Sequence, residues 1–276
     1  MNSLIATSYD TTTLLGSKLG LTSLLPIQFE SNYEYTLNNH LQIQPNVPPA
    51  AVPKLRYFGV GINGAYNAND QNLISVYNPQ RTDMNLYQLI PIRCRPVDED
   101  LSEADRANYR LRVRSRLNDG QDYFLYYLKV LNFSEGVKFK RIDPATGREE
   151  PYELNATNLQ PRPIKPSTDT VLSSDTAEIV AYCPVTLNIS ADEVLEYINV
   201  QYQGDSRYAR ISELGFFTGD DATVSGSTGQ GASISYTEAI YTMLYNHLTW
   251  QGASLTNSGM SLSAPFEITS SGIYEA

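Results

Sequence analysis

Residues 109–133 read YRLRVRSRL, then NDGQ, then DYFLYYLKVLNF, and few folds can accommodate that order of residues. Arg110, Arg112, Arg114 and Arg116 alternate with Leu111, Val113 and Leu117, the period of two that defines a strand with one basic and one apolar face. Asp119-Gly120 suits a two-residue type I′ turn, so the chain is expected to return as an antiparallel partner. That turn sets a register in which Leu111 meets Leu128, Val113 meets Tyr126 and Ser115 meets Phe124. On the other face Arg112 then lies beside Tyr127, Arg114 beside Leu125 and Arg116 beside Tyr123.

Four arginines on one strand face need anionic or aromatic company. Two readings are open. The guanidinium groups of Arg110, Arg112, Arg114 and Arg116 stack on Tyr123 and Tyr127 and pair with carboxylates such as Asp98–Asp100. Alternatively, the face meets an acidic patch on a neighbouring copy and serves as a subunit interface.

The flanking sequence adds short elements. LSEADRAN is a brief helix with Ser102 as N-cap and Asp105 in the capping-box position. VKFKRI and PYELN flank a turn at 143–147 and form a second hairpin. LQPRPIKPST is an extended connector, and TAEIVAYCPVTLNI is a strand. Ser190 and Glu193 make a capping box for one helical turn, after which VLEYINVQY and YARISELGFF read as strands. Residues 219–235 are low in side-chain bulk and read as a mobile loop. Ile240, Met243, Leu244, His247 and Leu248 share a helical face, which predicts a C-terminal helix over 237–250. PFEITSSGIY closes the chain as a strand. Residues 1–54, with scattered leucines and Pro48, Pro49 and Pro53, form an extended N-terminal segment. It is read as an arm running over a surface, its own or a neighbour's, with an irregular segment packed on its own domain, residues 55–276, as the alternative.

The composition narrows the function. A net charge of −10 leaves no basic footprint, so sequence-specific nucleic acid is not an expected partner. No run approaches membrane-spanning length, and MNSLIATSYD lacks the basic start of a secretory signal, so a soluble, cytoplasmically made chain is expected. Cys94 and Cys183 follow no metal or redox spacing and are expected as free thiols. Twenty tyrosines favour a β-rich, contact-making molecule.

Motifs with catalytic overtones fail on context. Gly59, Gly61 and Gly64 have the G-x-G-x-x-G spacing of a dinucleotide loop, but AYNANDQN follows where a helix should open. These glycines are expected to permit a tight bend or bulge. GSTGQGAS at 226–233 has P-loop spacing with Ala232 at the lysine position. The chain has two histidines, His40 and His247, and no nucleophile elbow. Asp98–Asp100 and Asp220–Asp221 are consecutive acids in polar loops, poor candidates for a glycosidase pair. No catalytic residue, cofactor or metal site is expected.

GDSRYARISELGFFTG is similar to the "A-x-I-x-E-I-G-L-(Y/F)" strand of tail-collar fibre and other tail-associated proteins of tailed bacteriophages. The match runs through Ala209, Ile211, Glu213, Leu214, Gly215 and Phe216. The preceding hairpin resembles an "R-x-N-Y-R-x-R … Y-x-x-Y-Y-L-K" hairpin of phage virion proteins, through Arg106, Asn108, Tyr109, Arg110 and Arg112, then Tyr123, Tyr126, Tyr127, Leu128 and Lys129. The resemblance spans roughly residues 100–220, and the long repetitive fibre shaft has no counterpart. It implies a compact, non-enzymatic structural subunit of the neck, collar (head-to-tail connector) or baseplate. The subunit would be located in the virion and contact copies of itself in a ring and neighbouring virion proteins. A receptor- or carbohydrate-binding β-sandwich of the tail is the alternative. The expected fold is mainly β, an antiparallel β-sandwich with a few short helices and an extended N-terminal arm.

Overall fold

The computed structural model describes residues 8–24, 32–45, 49, 51–67, 74–133, 135–143, 146–155, 178–205, 207–254, 261–269 and 273–274. The fold class is the expected one, mainly β with antiparallel sheets and four short α-helices. The chain divides into two units, Met1–Leu131 with Ile189–Leu262, and Asn132–Asn188 with Ser263–Ala276.

The first unit is built on an eight-stranded sheet. Along its main path lie β1 (Ser8–Thr12), β13 (Ser233–Ser254), β12 (Arg210–Ser227), β2 (Lys54–Gly61), β8 (Asp122–Val130) and β6 (Arg93–Pro96). β5 (Leu89–Ile90) adds to β2, and β7 (Tyr109–Arg116) pairs with β8. β3 (Ala65–Asn67) and β4 (Ile74–Val76) form a separate small ribbon. Tyr57, Leu111, Leu128, Phe217, Ala239 and Leu244 come from five different strands and form one core cluster with Leu37 and Leu86. β7 also lies against β13, where the Glu238 carboxylate accepts the N–H groups of Leu111 and Arg112 in place of a strand ladder.

The second unit carries β9 (Lys138–Ile142), β10 (Glu149–Pro151), β15 (Ile273–Tyr274) and most of β11 (Glu178–Ser190) and β14 (Ser261–Thr269). β9 and β10 are the expected second hairpin and β11 is the expected strand, while the single closing strand expected over PFEITSSGIY is two strands, β14 and β15. The proline connector LQPRPIKPST lies outside the described residues.

The described stretches 8–24 and 32–45 pack on their own unit, which both readings of residues 1–54 allowed, and they do so through a strand and short helices where an extended or irregular segment was expected. β1 pairs with β13 from Ser8↔Trp250 to Thr12↔Asn246. Thr13 turns into α1 (Leu14–Leu24), donating its N–H to the Tyr245 carbonyl at 2.9 Å while its hydroxyl accepts from Gly16 N at 3.0 Å. From α2 (Leu37–His40), the buried Asn38 amide donates to the Ala239 carbonyl at 2.8 Å and accepts from Thr242 N at 2.9 Å. Asn38 thus stands in for a neighbouring strand along the β13 edge.

Three expected elements are corrected. Residues 237–250 are strand, not helix, because β13 is buried on both faces along most of its inner half and pairs with β12 throughout. A strand covered on both sides is a continuous apolar run, which helical spacing also fits. Residues 219–235 are the outer half of β12, the turn and the start of β13, not a mobile loop. The capping box at Ser190 and Glu193 is present, but it opens an eleven-residue helix, α4 (Ala191–Gln201), where a single turn and then a strand were expected. Val194, Leu195 and Ile198 form the buried stripe of that helix. α3 (Glu103–Arg106) has the expected Ser102 cap.

Candidate functional site

The basic strand is where the sequence pointed, and its turn explains what becomes of it. Leu117 N donates to the Gln121 carbonyl at 3.0 Å and Gly120 N to the Leu117 carbonyl at 2.9 Å, so the loop holds three residues, Asn118–Gly120. Gly120 has φ +82°, the left-handed position of a type I turn with a G1 bulge. One more loop residue slips the pairing by one. Arg110 faces Leu128, Arg112 faces Tyr126, Arg114 faces Phe124 and Arg116 faces Asp122. The arginines therefore lie over the Phe124–Leu128 face, and Tyr123 and Tyr127 occupy the other.

Two of the four arginines are interior. Arg110 Nε donates to Asp221 Oδ1 at 2.8 Å, and its Nη1 donates to the carbonyls of Ala107 and Tyr109. Arg112 lays its guanidinium 3.4 Å above the centroid of the Phe124 ring and 5.4 Å from that of Tyr236. Its Nη2 donates to Asp100 Oδ2 at 2.9 Å and to the Ser227 carbonyl at 3.0 Å. The Tyr126 hydroxyl completes the Asp100 site at 2.5 Å. Burial works to lower both guanidinium pKa values, but the partner carboxylates outweigh it and hold both above the ordinary arginine range.

Pairing with a carboxylate of 98–100 is thus as expected for Arg112, but the aromatic partners are Phe124 and Tyr236. Arg114 is exposed and pairs with Asp122 at 2.7 Å. Arg116 is exposed and makes no ion pair among the described residues. Tyr123 is buried and donates its hydroxyl to Asp119 at 2.7 Å. Tyr127 packs half-buried between two core clusters, and burial pushes its phenol up to about 12.

Buried carboxylates organise the irregular backbone; Glu213 is marked in the sequence only as part of a motif and Glu238 not at all. Glu213 is fully buried on β12 and accepts N–H groups from Asn63 (2.9 Å), Tyr87 (2.6 Å) and Gln88 (3.1 Å). Glu238 takes those of Leu111, Arg112 and Ala239, and burial pushes its carboxyl above the usual range. Leu111 is held there at φ +58°, a strained conformation for leucine.

His247, also fully buried, lies between Asp83 (Nδ1···Oδ2 2.9 Å) and Glu213 (Nε2···Oε2 3.2 Å). With a carboxylate on each nitrogen, the ring has none left to take a proton from a nucleophile. Gly61 and Gly64, from the dinucleotide-like motif, serve this region. A Cβ on Gly61 would lie 2.7 Å from Glu213 Oε1, and one on Gly64 would lie 2.2 Å from the Ser212 carbonyl oxygen. The motif allows β2 and the turn after it to approach β12, and the residues straight after Gly64 are the strand β3 rather than a helix. Cys94 and Cys183 are free, and burial, with Glu196 and Asp119 nearby, pushes the Cys94 thiol up to about 12. No helix among the described residues is long and apolar enough to cross a membrane.

The most distinctive surface is the outer half of the β12–β13 ribbon. β12 pairs with β2 as far as Gly219↔Lys54, and beyond that point β13 is its sole strand partner among the described residues. From Ser233 to Thr237, β13 likewise pairs with β12 alone among them. One face of this ribbon carries the pairs Thr223↔Thr237, Ser225↔Ser235 and Ser227↔Ser233, all exposed. The other carries Val224↔Tyr236 and Gly226↔Ile234, with Tyr236 beside Arg112. The P-loop-like GSTGQGAS forms the hairpin tip, closed by Thr228 N donating to the Ala232 carbonyl at 2.8 Å.

No curated protein and no solved structure matches the chain. A family model matches residues 1–271, nearly the whole length, and the chain belongs to that family, described as a family of unknown function (DUF7208).

Proposed function

We propose that this chain is a structural subunit of a tailed-phage particle, in the neck, collar or baseplate. In this reading it works by contacting copies of itself and neighbouring virion proteins, without catalysis. The observation that carries the reading is the outer half of the β12–β13 ribbon. From Ala222 to Tyr236 the sequence has no charged residue and no proline. Edge strands of monomeric proteins are usually guarded by lysine, proline or a covering segment, because unpaired N–H and C=O groups recruit other strands. The inner part of β13 is guarded in this way by β1 and Asn38. Apart from the Ser227 carbonyl, which Arg112 takes, and the tip, where Gly229 lies against Val97, the outer ribbon presents its edges without such guards among the described residues, which suits a strand that is covered after assembly.

Head-to-tail contact fits the geometry. If ribbons of adjacent copies lie side by side in one orientation, β12 of one meets β13 of the next antiparallel, as the two already meet within the chain. Repetition around an axis closes a ring. The hairpin's resemblance to phage virion proteins supports the particle assignment, and the internal use of Arg110, Arg112, Glu213 and Glu238 fits a chain whose charges hold its own framework.

The test uses Val224→Pro and Ser225→Pro, made separately. N–H groups alternate in direction along a strand, so one substitution removes an outward donor and the other an inward one. Sedimentation velocity should show concentration-dependent assembly of the unaltered chain. It should show monomers for the variant that loses an outward donor, with its circular dichroism unchanged. A chain that stays monomeric at every concentration, or two proline variants that assemble as it does, would overturn the reading.

A further inference from the structure

Arg210 stands apart in this acidic chain. Arg93, Arg95, Arg106, Arg110, Arg112 and Arg207 each reach an Asp or Glu within 3.4 Å. Arg210 is half-buried, forms no ion pair or hydrogen bond among the described residues, and has its Nε buried without a partner. A buried N–H without an acceptor is costly. Arg106 and Arg112 share an orphaned Nε, but their Nη groups reach Asp100, whereas no group of Arg210 has an anionic partner among the described residues.

The surroundings are built to hold it there. Register between β12 and β13 breaks from Ile211↔Ala253 to Glu213↔Thr249, so Ser212 lies opposite the bulged segment 250–252. In that segment Gly252 adopts φ +94°, and a Cβ on it would lie 2.6 Å from both Cγ and Nε of Arg210. The bare glycine is the seat on which the arginine stem rests. Bulges of this kind commonly re-aim a side chain at a site.

Arg210 lines a cleft of about 420 Å³, within the range of small-ligand sites. Ile62, Ala65, Ile74 and Tyr66 supply the apolar part of the wall, and Asn67 and Ser212 add polar groups. The Tyr66 ring is braced by Tyr77, with centroids 4.5 Å apart. Arg207 also lines the cleft, but its guanidinium is already held by Asp205 at 2.6 Å. A cation with no anion among the described residues, facing a wall that joins apolar groups to the polar Asn67 and Ser212, calls for a ligand with an anionic end and an apolar part.

We propose that this cleft binds a carboxylate carried on an apolar body, with Arg210 as the partner of the carboxylate. The ligand is either a free organic acid or the C-terminal carboxylate of a chain ending in an apolar residue. Binding does not depend on the assembly reading, since every wall residue belongs to one copy.

Amide NMR titration of the full chain with 3-phenylpropionate, 3-phenylpropanamide, glucuronate, and a peptide ending in phenylalanine, free or amidated, tests this. The two apolar carboxylates should bind saturably, with shifts around Tyr66, Ser212 and Gly252. Both amides should bind roughly tenfold or more weakly, because the charge-assisted pair is lost. Arg210→Gln should lose the same factor, and Arg210→Lys should keep part of the affinity. The guanidinium makes no ion pair or hydrogen bond among the described residues, so an unchanged spectrum away from the cleft shows the variants folded. Tighter binding of the peptide marks a chain terminus as the source, and tighter binding of 3-phenylpropionate marks a free acid. Absence of saturable carboxylate binding, equal affinity in Arg210→Gln, or preference for glucuronate would each overturn the proposal.

Discussion

Glu238 and Glu193 show how much one side chain settles in this fold. Glu238 gathers three backbone N–H groups at the point where β7 meets β13 without a ladder. Glu238→Ala would leave those donors buried without acceptors, at about 1–3 kcal/mol each. The expected loss in urea unfolding is about 3 kcal/mol or more, a large share of a domain's stability. Glu238→Gln should lose less, because its one carbonyl oxygen can still serve Leu111 and Ala239. Equal losses for the two variants would show that the carboxylate is not the anchor. Glu193 supplies a pH signature. Burial tends to raise its carboxyl, but hydrogen bonds from Lys129 at 2.7 Å, from the Tyr109 hydroxyl and from Ser190 N outweigh it, so the group titrates below the ordinary 4.5. A depressed carboxyl stabilises the fold above its unfolded-state pKa and loses that contribution as pH falls through the folded-state value. Glu193→Gln should therefore be less stable at neutral pH and should show a flatter fall in urea midpoint below about pH 4.5. Glu238, raised by burial, works in the opposite direction in both proteins, so the difference between the two profiles isolates Glu193.

At the scale of elements, β13 depends on a side chain for part of its edge. Asn38→Ala should remove the contacts to Ala239 and Thr242, and the Thr242 amide should exchange with solvent markedly faster than in the unaltered chain. Asn38→Asp should be worse, because its carboxylate would face the Ala239 carbonyl where the amide now donates. An unchanged Thr242 exchange rate in both would refute the edge-cap role. Much of this level was legible in advance. Alternation found β7 and β8, Ser102 and Ser190 marked their helices, and the turn residues at 143–147 marked the β9–β10 hairpin. β13 was not legible because burial on both faces erases the period of two, and Ile240, Leu244 and His247 then fall at helical spacing by coincidence. Its β-branched and aromatic content, in Thr237, Ile240, Tyr241, Thr242, Tyr245 and Trp250, was the signal available. α4 misled in the other direction, because VLEYINVQY is rich in strand formers that packing overrode. The arginine stripe was visible, but its burial was not. One extra loop residue moved its facing partners, and Asp221 and Glu238 arrive from more than a hundred residues away.

For the molecule as a whole, charge decides between two ways of assembling. Each copy carries a net charge of −10, so adjacent copies repel unless their contact supplies opposite charges. An interface built on the arginine face would supply them, and salt would weaken it. Arg110 and Arg112, however, are spent on Asp221 and Asp100 inside the chain. Replacing Arg112 by Glu would set a second buried carboxylate against Asp100 and threaten the fold before any interface was tested. An interface of uncharged ribbon edges has no such attraction to lose, and salt acts on it by screening the repulsion between copies. The Debye length shortens from about 30 Å at 0.01 M salt to about 8 Å at 0.15 M, less than the separation of most charges on neighbouring copies. Ribbon-mediated assembly should therefore strengthen as sodium chloride rises over that range, with the association constant increasing severalfold in sedimentation equilibrium. Weakening over the same range would return the contact to the exposed pair Arg114 and Arg116 and remove the ribbon from the interface.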